Sequence, residues 1–317
     1  MLENHPIVRA RAAARSHVRG MGKYTGKVAI ITGGSTGIGF GTAQALVAEG
    51  AEVLITGRNE ASLEAAQREL GPRAHGLRSD SASLSDIDAL GAHVERTFGG
   101  ARGGAPAPRQ TERVGAPAPR QTERGGAPAP RQTERVGAPA PNGSVDLVFL
   151  NAGYCKIEPA AEVSAEEYDK TFAINTRGVF FAVQRLAPLV RDGGAFVFTT
   201  SIADAVGYPG MSVYSGTKAA ILAFARVFAA ELLPRRIRVN CVSPGFVKTP
   251  TMGIYGVGAD QVAAFAREGD ELTPMKRIAT TEEIARTVLY LAFEATFTTG
   301  TELVVDGGLT ELVAPAH

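Results

Sequence analysis

The chain has 317 residues, 44% of them hydrophobic, and a formal net charge of +1 at pH 7, a length that allows one large α/β domain or two small ones. Its charge is uneven, because residues 1–20 and 103–141 carry +3 each, which leaves −5 for the rest. A mildly acidic body excludes nucleic acid as the expected partner, and no apolar run reaches the roughly 20 residues that span a bilayer.

A basic extension precedes the first predicted element. Residues 1–20 contain four Arg against Glu3, and they lack the apolar segment of a secretory signal. We interpret residues 1–22 as a disordered extension, with a transit peptide as the alternative, and we place one domain at 23–317.

Strands and helices alternate along that domain. Strands are predicted at Val28–Thr32, Glu52–Thr56, Ala74–Ser79, Val145–Asn151, Ala195–Ser201, Arg238–Ser243 and Glu302–Asp306. The segments 164–167 and 280–283 have the capping-box form that begins a helix. The alternation predicts an α/β fold: a single doubly wound Rossmann-type domain, with a parallel seven-stranded sheet and helices on both faces.

The first strand leads into a glycine-rich turn and then into a helical pattern from Phe40 to Glu49. A strand, a glycine turn and a helix together set a pyrophosphate against free backbone N–H groups at the helix N-terminus. Glycine is needed there because a Cβ would keep the backbone away from the phosphates. The predicted dinucleotide contacts in this turn are Gly33, Ser35, Thr36, Gly37, Ile38 and Gly39.

The tip of the second strand bears on the choice of dinucleotide. NAD-binding sheets usually place a carboxylate about 20 residues after the glycines, but the stretch 55–59 contains no acid. Arg58 can pair there with a 2′-phosphate. We therefore predict NADP; NAD remains the alternative, in which Arg58 is only a solvated residue at the start of a helix.

A tandem repeat interrupts the domain before the fourth strand. The unit [GV]-G-A-P-A-P-R-Q-T-E-R occurs three times from Gly103 to Arg135, and a fourth copy stops at Pro141. Its prolines exclude helix, and it has almost no large apolar side chain to bury. We expect 103–143 to be a disordered insertion, with a docking segment as the alternative.

Three residues are candidates for catalysis. Tyr214 and Lys218 lie four apart at the start of a helical apolar run, so they share one face. A free phenol has a pKa of about 10, and a nearby ammonium group lowers it. Ser201 ends a predicted strand, which is where an α/β sheet places its site.

Together these motifs resemble the short-chain dehydrogenase/reductase family, from about Lys23 to Leu312 apart from the repeat. The glycine turn has the spacing T-G-x-x-x-G-I-G, and Ser201 and Tyr214 have the family's separation. Further matches are Asn151-Ala152-Gly153 (with Leu150 in place of the motif's first Asn), Asn175 at the family's helix kink, Pro244-Gly245, and Val304–Gly308.

The resemblance implies an oxidoreductase that interconverts a carbonyl and an alcohol. Tyr214 would transfer a proton, Lys218 would lower the phenol pKa and bind the nicotinamide ribose, and Ser201 would orient the substrate oxygen. Asn175 would hold a water that links Lys218 to solvent. The remaining implied cofactor contacts are Asp80, Ser81, Asn151, Ala152, Gly153, Pro244, Gly245, Val247 and Thr249, and no metal ligand is expected.

The resemblance also implies assembly and a lid. Relatives are commonly dimers or tetramers, and the predicted helices Thr176–Val190 and Ala219–Leu233 are apolar on more than one face. The segment Thr251–Thr273 matches the family's mobile loop, and its glycines suggest a lid. With the lid, the residues expected to form the pocket for a small carbonyl or alcohol are Tyr154, Cys155, Ala203, Tyr208 and Met211.

Cysteine usage indicates the compartment. Cys155 and Cys241 are the only cysteines, so no disulfide framework is possible. We therefore expect a cytoplasmic location.

Several functions remain open. The leading hypothesis is an NADP-dependent carbonyl reductase or alcohol dehydrogenase, and the runner-up is an NAD-dependent hydroxysteroid- or sugar-alcohol-type dehydrogenase. A dinucleotide sensor without chemistry is a third, but sensing needs no proton relay, and the set Asn175, Ser201, Tyr214 and Lys218 is intact. A fourth is an interaction protein that works through the repeat.

Overall fold

The computed structural model describes residues 22–99 and 143–312. The predicted extension at 1–22 and insertion at 103–143 therefore lie outside the described residues, except for Gly22 and Gly143.

Seven parallel strands form one sheet in the order β3-β2-β1-β4-β5-β6-β7. The strands are β1 Val28–Thr32, β2 Glu52–Gly57, β3 Ala74–Arg78, β4 Val145–Leu150, β5 Val190–Thr199, β6 Arg238–Pro244 and β7 Glu302–Val305. The predicted seven-stranded parallel sheet is confirmed. β5 begins earlier than predicted because Val190 already pairs with Val145, ahead of a register shift.

Eight α-helices accompany these strands within the described residues. They are α1 Gly37–Ala48, α2 Glu60–Leu70, α3 Leu84–Phe98, α4 Ala165–Phe172, α5 Gly178–Leu186, α6 Ser212–Leu232, α7 Ala259–Leu272 and α8 Thr281–Leu289. A π-helical turn, Ala173–Arg177, separates α4 from α5, and a 3₁₀ turn, Ile202–Asp204, follows β5. In the described ranges no helix combines the length and hydropathy needed to cross a bilayer.

Two apolar clusters cover the two faces of the sheet. Ile30 and Val148 pack in one cluster with residues of α3, α5 and α6. Their neighbours Ile31 and Phe149 pack in the other with residues of α1, α2 and α8. Every residue of β1 and β4 is buried. Because helices cover these parallel strands on both sides, the strand sequences are almost continuously apolar.

The strand order fixes the position of a crevice. Parallel strands end at the same edge of the sheet, and the direction of winding reverses between β1 and β4. Ligands of open α/β sheets bind outside the carboxyl ends of the strands at such a reversal. The glycine turn after β1 and the segment 151–153 after β4 meet there.

Candidate active site

The glycine turn brings the backbone close to the segment after β4. Gly33 has φ +65°, and a Cβ on it would lie 2.9 Å from Ala152 Cα. Gly37 has φ +58° and begins α1, whose N-cap residue Thr36 makes no side-chain capping bond. The first N–H groups of α1 therefore remain available to an anion.

A cleft of about 690 Å³ extends from this turn to Tyr214 and Lys218. Its lining includes these residues predicted to hold a dinucleotide: Gly33, Ser35, Thr36, Gly37, Ile38, Arg58, Asp80, Ser81, Asn151, Ala152, Gly153, Tyr214, Lys218 and Thr249. A side chain on Gly33 or Gly37 would crowd the turn that forms one wall of the cleft. Because both positions are glycine, the backbone stays accessible, and the geometry fits a long, phosphate-containing ligand.

Four predicted cofactor residues do not line this cleft. Gly39 lies in the first turn of α1, where a Cβ would collide with the Gly33 carbonyl. It therefore permits close packing of α1 against the glycine turn. Pro244 ends β6, and the Gly245 N–H donates to Val305 at 3.1 Å. Val247 is buried in the core. Of the predicted stretch 244–249, only Thr249 reaches the cleft.

Asn151 joins the ends of three strands. Its backbone N–H donates to Thr32 Oγ1 at 3.0 Å, and its side-chain amide donates to the Gly33 carbonyl at 3.2 Å. Its Oδ1 accepts from Thr199 Oγ1 at 3.2 Å. These bonds fix the floor of the cleft where β1, β4 and β5 end.

Two of the three candidate catalytic side chains, Tyr214 and Lys218, line one end of the cleft, whereas Ser201 is not part of its lining. α6 begins at Ser212, earlier than the apolar run predicted, so Tyr214 and Lys218 both lie on its first turns. Ser201 lies just after β5, and its Oγ accepts from the Ala203 N–H at 3.2 Å. Lys218 is only 4% exposed, and its Nζ donates to the Thr199 carbonyl at 2.7 Å.

Burial has the largest effect on the pKa values of Tyr214 and Lys218. It raises the pKa of Tyr214, while the Ser201 hydrogen bond acts in the opposite direction. It also lowers the pKa of Lys218 to about 8. Lys218 Nζ lies 5.4 Å from the Tyr214 ring centroid. The expected lowering of the phenol pKa by Lys218 is therefore outweighed by burial in this structure.

Asn175 lies in the π-helical turn and is 1% exposed. Its Oδ1 accepts from the Tyr154 N–H at 2.8 Å, and its Nδ2 donates to the Tyr154 carbonyl and to Thr217 Oγ1. A Cβ on Gly153 would lie 3.8 Å from Asn175 Oδ1 and 3.7 Å from Lys218 Nζ, so both groups flank that glycine. Asn175 thus ties the segment after β4 to α6.

Two contributors to the site were missed by sequence reasoning. The Thr199 carbonyl, which receives Lys218, is a backbone group and leaves no residue-type signal. Tyr255 lies in the predicted lid and stacks on Tyr154 with ring centroids 5.1 Å apart. Its aromatic character was visible in the sequence, but its partner was not.

An apolar cluster adjoins Tyr214. It combines residues from the segment after β4, from the loop after β5 and from the predicted lid: Cys155, Ile157, Ala203, Tyr208, Met211, Tyr214, Ile254, Val257 and Phe265. The segment predicted to be a lid contains α7, and the Tyr208 hydroxyl donates to Glu268 of that helix. Burial raises the pKa of the Cys155 thiol to about 12, so this cysteine is neutral at physiological pH.

Two family models match the chain. The model described as short chain dehydrogenase matches residues 27–101, and the model described as Enoyl-(Acyl carrier protein) reductase matches residues 134–310. The two matches lie on either side of the central part of the repeat.

Similar proteins extend over most of the chain. An oxidoreductase of Sarocladium schorii, asL5, is 31% identical over 92% of this chain and 98% of its own length. L-fucose dehydrogenase of Bos taurus is 30% identical over 90% of each chain. A solved short chain dehydrogenase/reductase family protein is 31% identical, with a TM-score of 0.68 over 91% of this chain and 99% of that one. A glucose/ribitol dehydrogenase structure from Brucella melitensis has 25% identity and a TM-score of 0.72, over 91% of this chain and 98% of that one.

Proposed function

This chain belongs to the short-chain dehydrogenase/reductase family, and we propose that it interconverts a carbonyl and a secondary alcohol with NADP as its cofactor. The observation that supports this function is one cleft whose lining includes the glycine turn, Arg58, Tyr214 and Lys218. A ligand in that cleft reaches both a helix N-terminus suited to phosphate and a set of proton-transferring side chains.

Tyr214 is the proposed general acid and base. Ser201, which opposes the rise in the Tyr214 pKa, would orient the reacting oxygen and stabilise charge on it. Lys218 in its ammonium form would stabilise the phenolate that remains when Tyr214 gives up its proton. A nicotinamide cofactor, when bound, supplies or accepts the hydride.

The residues around the glycine turn would hold the dinucleotide. The uncapped N-terminus of α1 suits its phosphates. Asp80 and Ser81 follow β3, and they line the same cleft on the side of Arg58. We assign them to the adenosine half, and Tyr214 and Lys218 to the nicotinamide half.

Arg58 supports NADP over NAD. It directly follows β2, its side chain is exposed, and it forms no ion pair with any residue in 22–99 or 143–312. Its neighbours on the cleft wall, Gly57 and Asn59, carry no charge. A guanidinium so placed can pair with a 2′-phosphate, whereas the ribose 2′-OH of NAD would have no carboxylate to bind at this tip.

The apolar cluster beside Tyr214 supports an uncharged substrate with apolar substituents. None of the cluster's side chains is an acid or a base of the kind that anchors a polyanion. Lys156, which is near this cluster in sequence, is paired with Glu158 at 2.6 Å. A polyol stays in the test panel because L-fucose dehydrogenase is among the similar proteins.

Two measurements test this function. Fluorescence titration with NADPH and NADH should show tighter binding of NADPH. A panel of aromatic and aliphatic ketones, hydroxysteroids and sugar alcohols, followed at the nicotinamide absorbance, should show turnover with an uncharged carbonyl. Binding without turnover of any member of the panel would favour a dinucleotide sensor instead.

A further inference from the structure

A second groove crosses the opposite edge of the sheet, where the strands begin. Its volume of about 720 Å³ is close to that of the cleft at the glycine turn, and the two share no lining residue. The groove is lined by residues that precede or begin five consecutive strands of the sheet, β1, β4, β5, β6 and β7. Neighbouring strands lie about 4.8 Å apart, so the groove is about 19 Å long.

An irregularity in β5 opens this groove. In the pairing of β4 with β5, the four residues 191–194 stand opposite Asp146 alone. Gly193 within this bulge has φ +79°, and a Cβ placed on it would meet no atom within 4 Å. The bulge therefore leaves the ladder and borders open space at the edge of the sheet.

Arginine side chains fix both walls of the groove. On one wall, the Arg235 guanidinium donates to Oδ1 of Asp192 in the bulge at 3.0 Å. On the other wall, the Arg238 guanidinium donates to the Ala292 carbonyl and, at 3.1 Å, to the Ala295 carbonyl. Because these bonds join different elements of the chain, the shape of the groove is set by the protein itself.

The groove has an excess of positive charge. Oδ1 of Asp146, a side chain only 4% exposed, accepts from Lys27 at 2.9 Å and from Arg191 at 2.7 Å, so two cations share one carboxylate. Arg236 is exposed, and neither it nor Arg238 forms an ion pair within the described residues. The lining thus holds four cations against two carboxylates, although the domain outside the basic extension and the repeat has a net charge of −5. A positive groove in an acidic body attracts an anion.

Large apolar side chains line the same groove. Phe297 is fully exposed, and Leu233 is 55% exposed. Phe293 lies in the wall, where its ring packs on Tyr24 with centroids 4.7 Å apart. Covering apolar surface with hydrocarbon removes it from water, which is favourable. The groove therefore offers both cations and apolar surface to one ligand.

We propose that this groove is a second ligand-binding site, and that it takes an amphipathic anion: an acidic headgroup on a hydrocarbon chain. The headgroup pairs with Arg191 and Arg236, because a guanidinium binds a carboxylate or a phosphate through two parallel N–H donors. The chain covers Phe297 and Leu233. The site does not depend on the proposed function, because it shares no residue with the catalytic cleft.

Isothermal titration calorimetry on the full chain tests the headgroup and the hydrocarbon chain separately. Decanoate and decyl phosphate, each below its micelle concentration, should bind at one site per chain, and the tighter of the two identifies the headgroup. Acetate has no chain and decanol has no charge, so each should bind at least about tenfold more weakly. Failure of both decyl anions to bind, or an equal affinity for decanol, would overturn the proposal.

Substitutions locate the bound anion. Arg236→Gln and Phe297→Ser change exposed side chains, so the fold should persist while each weakens binding of the decyl anion by about tenfold. Arg68→Gln and Leu84→Ser, at exposed positions of other elements, are the matched controls and should leave the affinity within about twofold. Arg58→Gln should also leave it unchanged. If Arg58→Gln weakens binding and Arg236→Gln does not, the anion occupies the dinucleotide cleft and the proposal is wrong.

Hydrogen exchange gives a readout that needs no variant. The bound decyl anion should slow amide exchange at 191–194 and 296–299, which border the groove, and leave exchange at 33–39 unchanged. Protection confined to 33–39 would contradict a site at this edge of the sheet.

Discussion

Tyr214 and Lys218 are side chains whose protonation depends on how deeply they are enclosed. Their spacing on α6 puts them on one face, but Lys218 reaches the Thr199 carbonyl rather than the phenol oxygen. Burial disfavours the charged form of each, so it raises the pKa of Tyr214 and lowers that of Lys218. At Tyr214, the contribution of Ser201 acts against burial and lowers the phenol pKa.

Replacing Tyr214 with Phe tests its role as acid and base. The change removes one hydroxyl and little volume, so NADPH binding should stay within about twofold while kcat falls at least about 100-fold, the usual worth of general acid–base catalysis. Steady-state kinetics and fluorescence titration measure both quantities. Tyr290→Phe, at an exposed position, is the matched control. Retention of more than a few per cent of kcat in Tyr214→Phe would refute the assignment.

Replacing Arg58 with Asp should shift preference from NADP towards NAD, because a carboxylate repels a 2′-phosphate and accepts from a 2′-OH. We expect the ratio of kcat/KM for the two cofactors to change by about 5- to 150-fold, or about 1–3 kcal/mol. Arg68→Asp makes the same charge change on the exposed side of α2 and should leave the ratio alone. An unaltered ratio in Arg58→Asp would mean that Arg58 is only a surface residue.

At the scale of elements, α8 supports the helix that begins at the glycine turn. A Cβ on Gly41 of α1 would lie 3.0 Å from Thr281 Cβ, so the two helices are in close contact there. α8 begins with the capping box that the sequence predicted: Thr280 Oγ1 accepts from the Glu283 N–H, and Glu283 accepts from the Thr280 N–H at 2.9 Å. The start of α8 therefore helps to fix the wall of the cleft.

Glu283→Gln tests this capping box through pH. Hydrogen bonds from Arg277 and then from Thr280 lower the pKa of Glu283 to about 2. A carboxyl with a lowered folded-state pKa contributes stability above its unfolded pKa, and that stability is lost as the pH falls towards the folded value. The Tm difference between the parent and Glu283→Gln should therefore be largest above pH 5 and shrink towards pH 3. Glu271→Gln, at an exposed position, should show no such trend; a pH-independent difference for Glu283→Gln would contradict the role of its charge.

At the scale of the whole molecule, the parallel sheet brings distant parts of the sequence to one crevice. Residues 33–39, 151–153 and 199–218 come from three separate segments, and they meet because β1, β4 and β5 are adjacent and end at one edge. The same architecture leaves some large apolar side chains on α4, α5 and α6 exposed. They are Tyr168, Phe180 and Val227.

These exposed side chains support our proposal of a homodimer or homotetramer. Phe180 and Phe224 are in edge contact at 5.6 Å, and Val227 lies three residues beyond Phe224 on α6, so these positions share a surface. Light scattering at micromolar concentration should show a dimer or tetramer. Val227→Arg should shift the oligomeric state towards monomer. Leu84→Arg, at a similarly exposed apolar residue of α3, should leave the oligomeric state unchanged. A monomeric parent would contradict the assembly.

The sequence by itself determined the elements and most of the cleft. Apolar runs predicted all seven strands, and the glycine turn, Arg58, Asp80 and the segment 151–153 were recognisable because each needs a particular residue type at a fixed distance from a strand end. Gly39 and Val247 were assigned to the cofactor, but the structure packs both away from the cleft. Motif spacing alone does not separate a wall residue from one that supports the wall.

Tertiary structure alone decided the surroundings of the catalytic group. The Thr200 hydroxyl contacts the Glu302 carboxyl, although the two residues are 102 apart in the sequence and nothing in either local pattern pairs them. They meet because β5, β6 and β7 are neighbours in the sheet, and the Thr200 hydroxyl also donates to the Val242 carbonyl of β6. The burial that lowers the pKa of Lys218 is likewise a property of the folded chain and of no local sequence pattern.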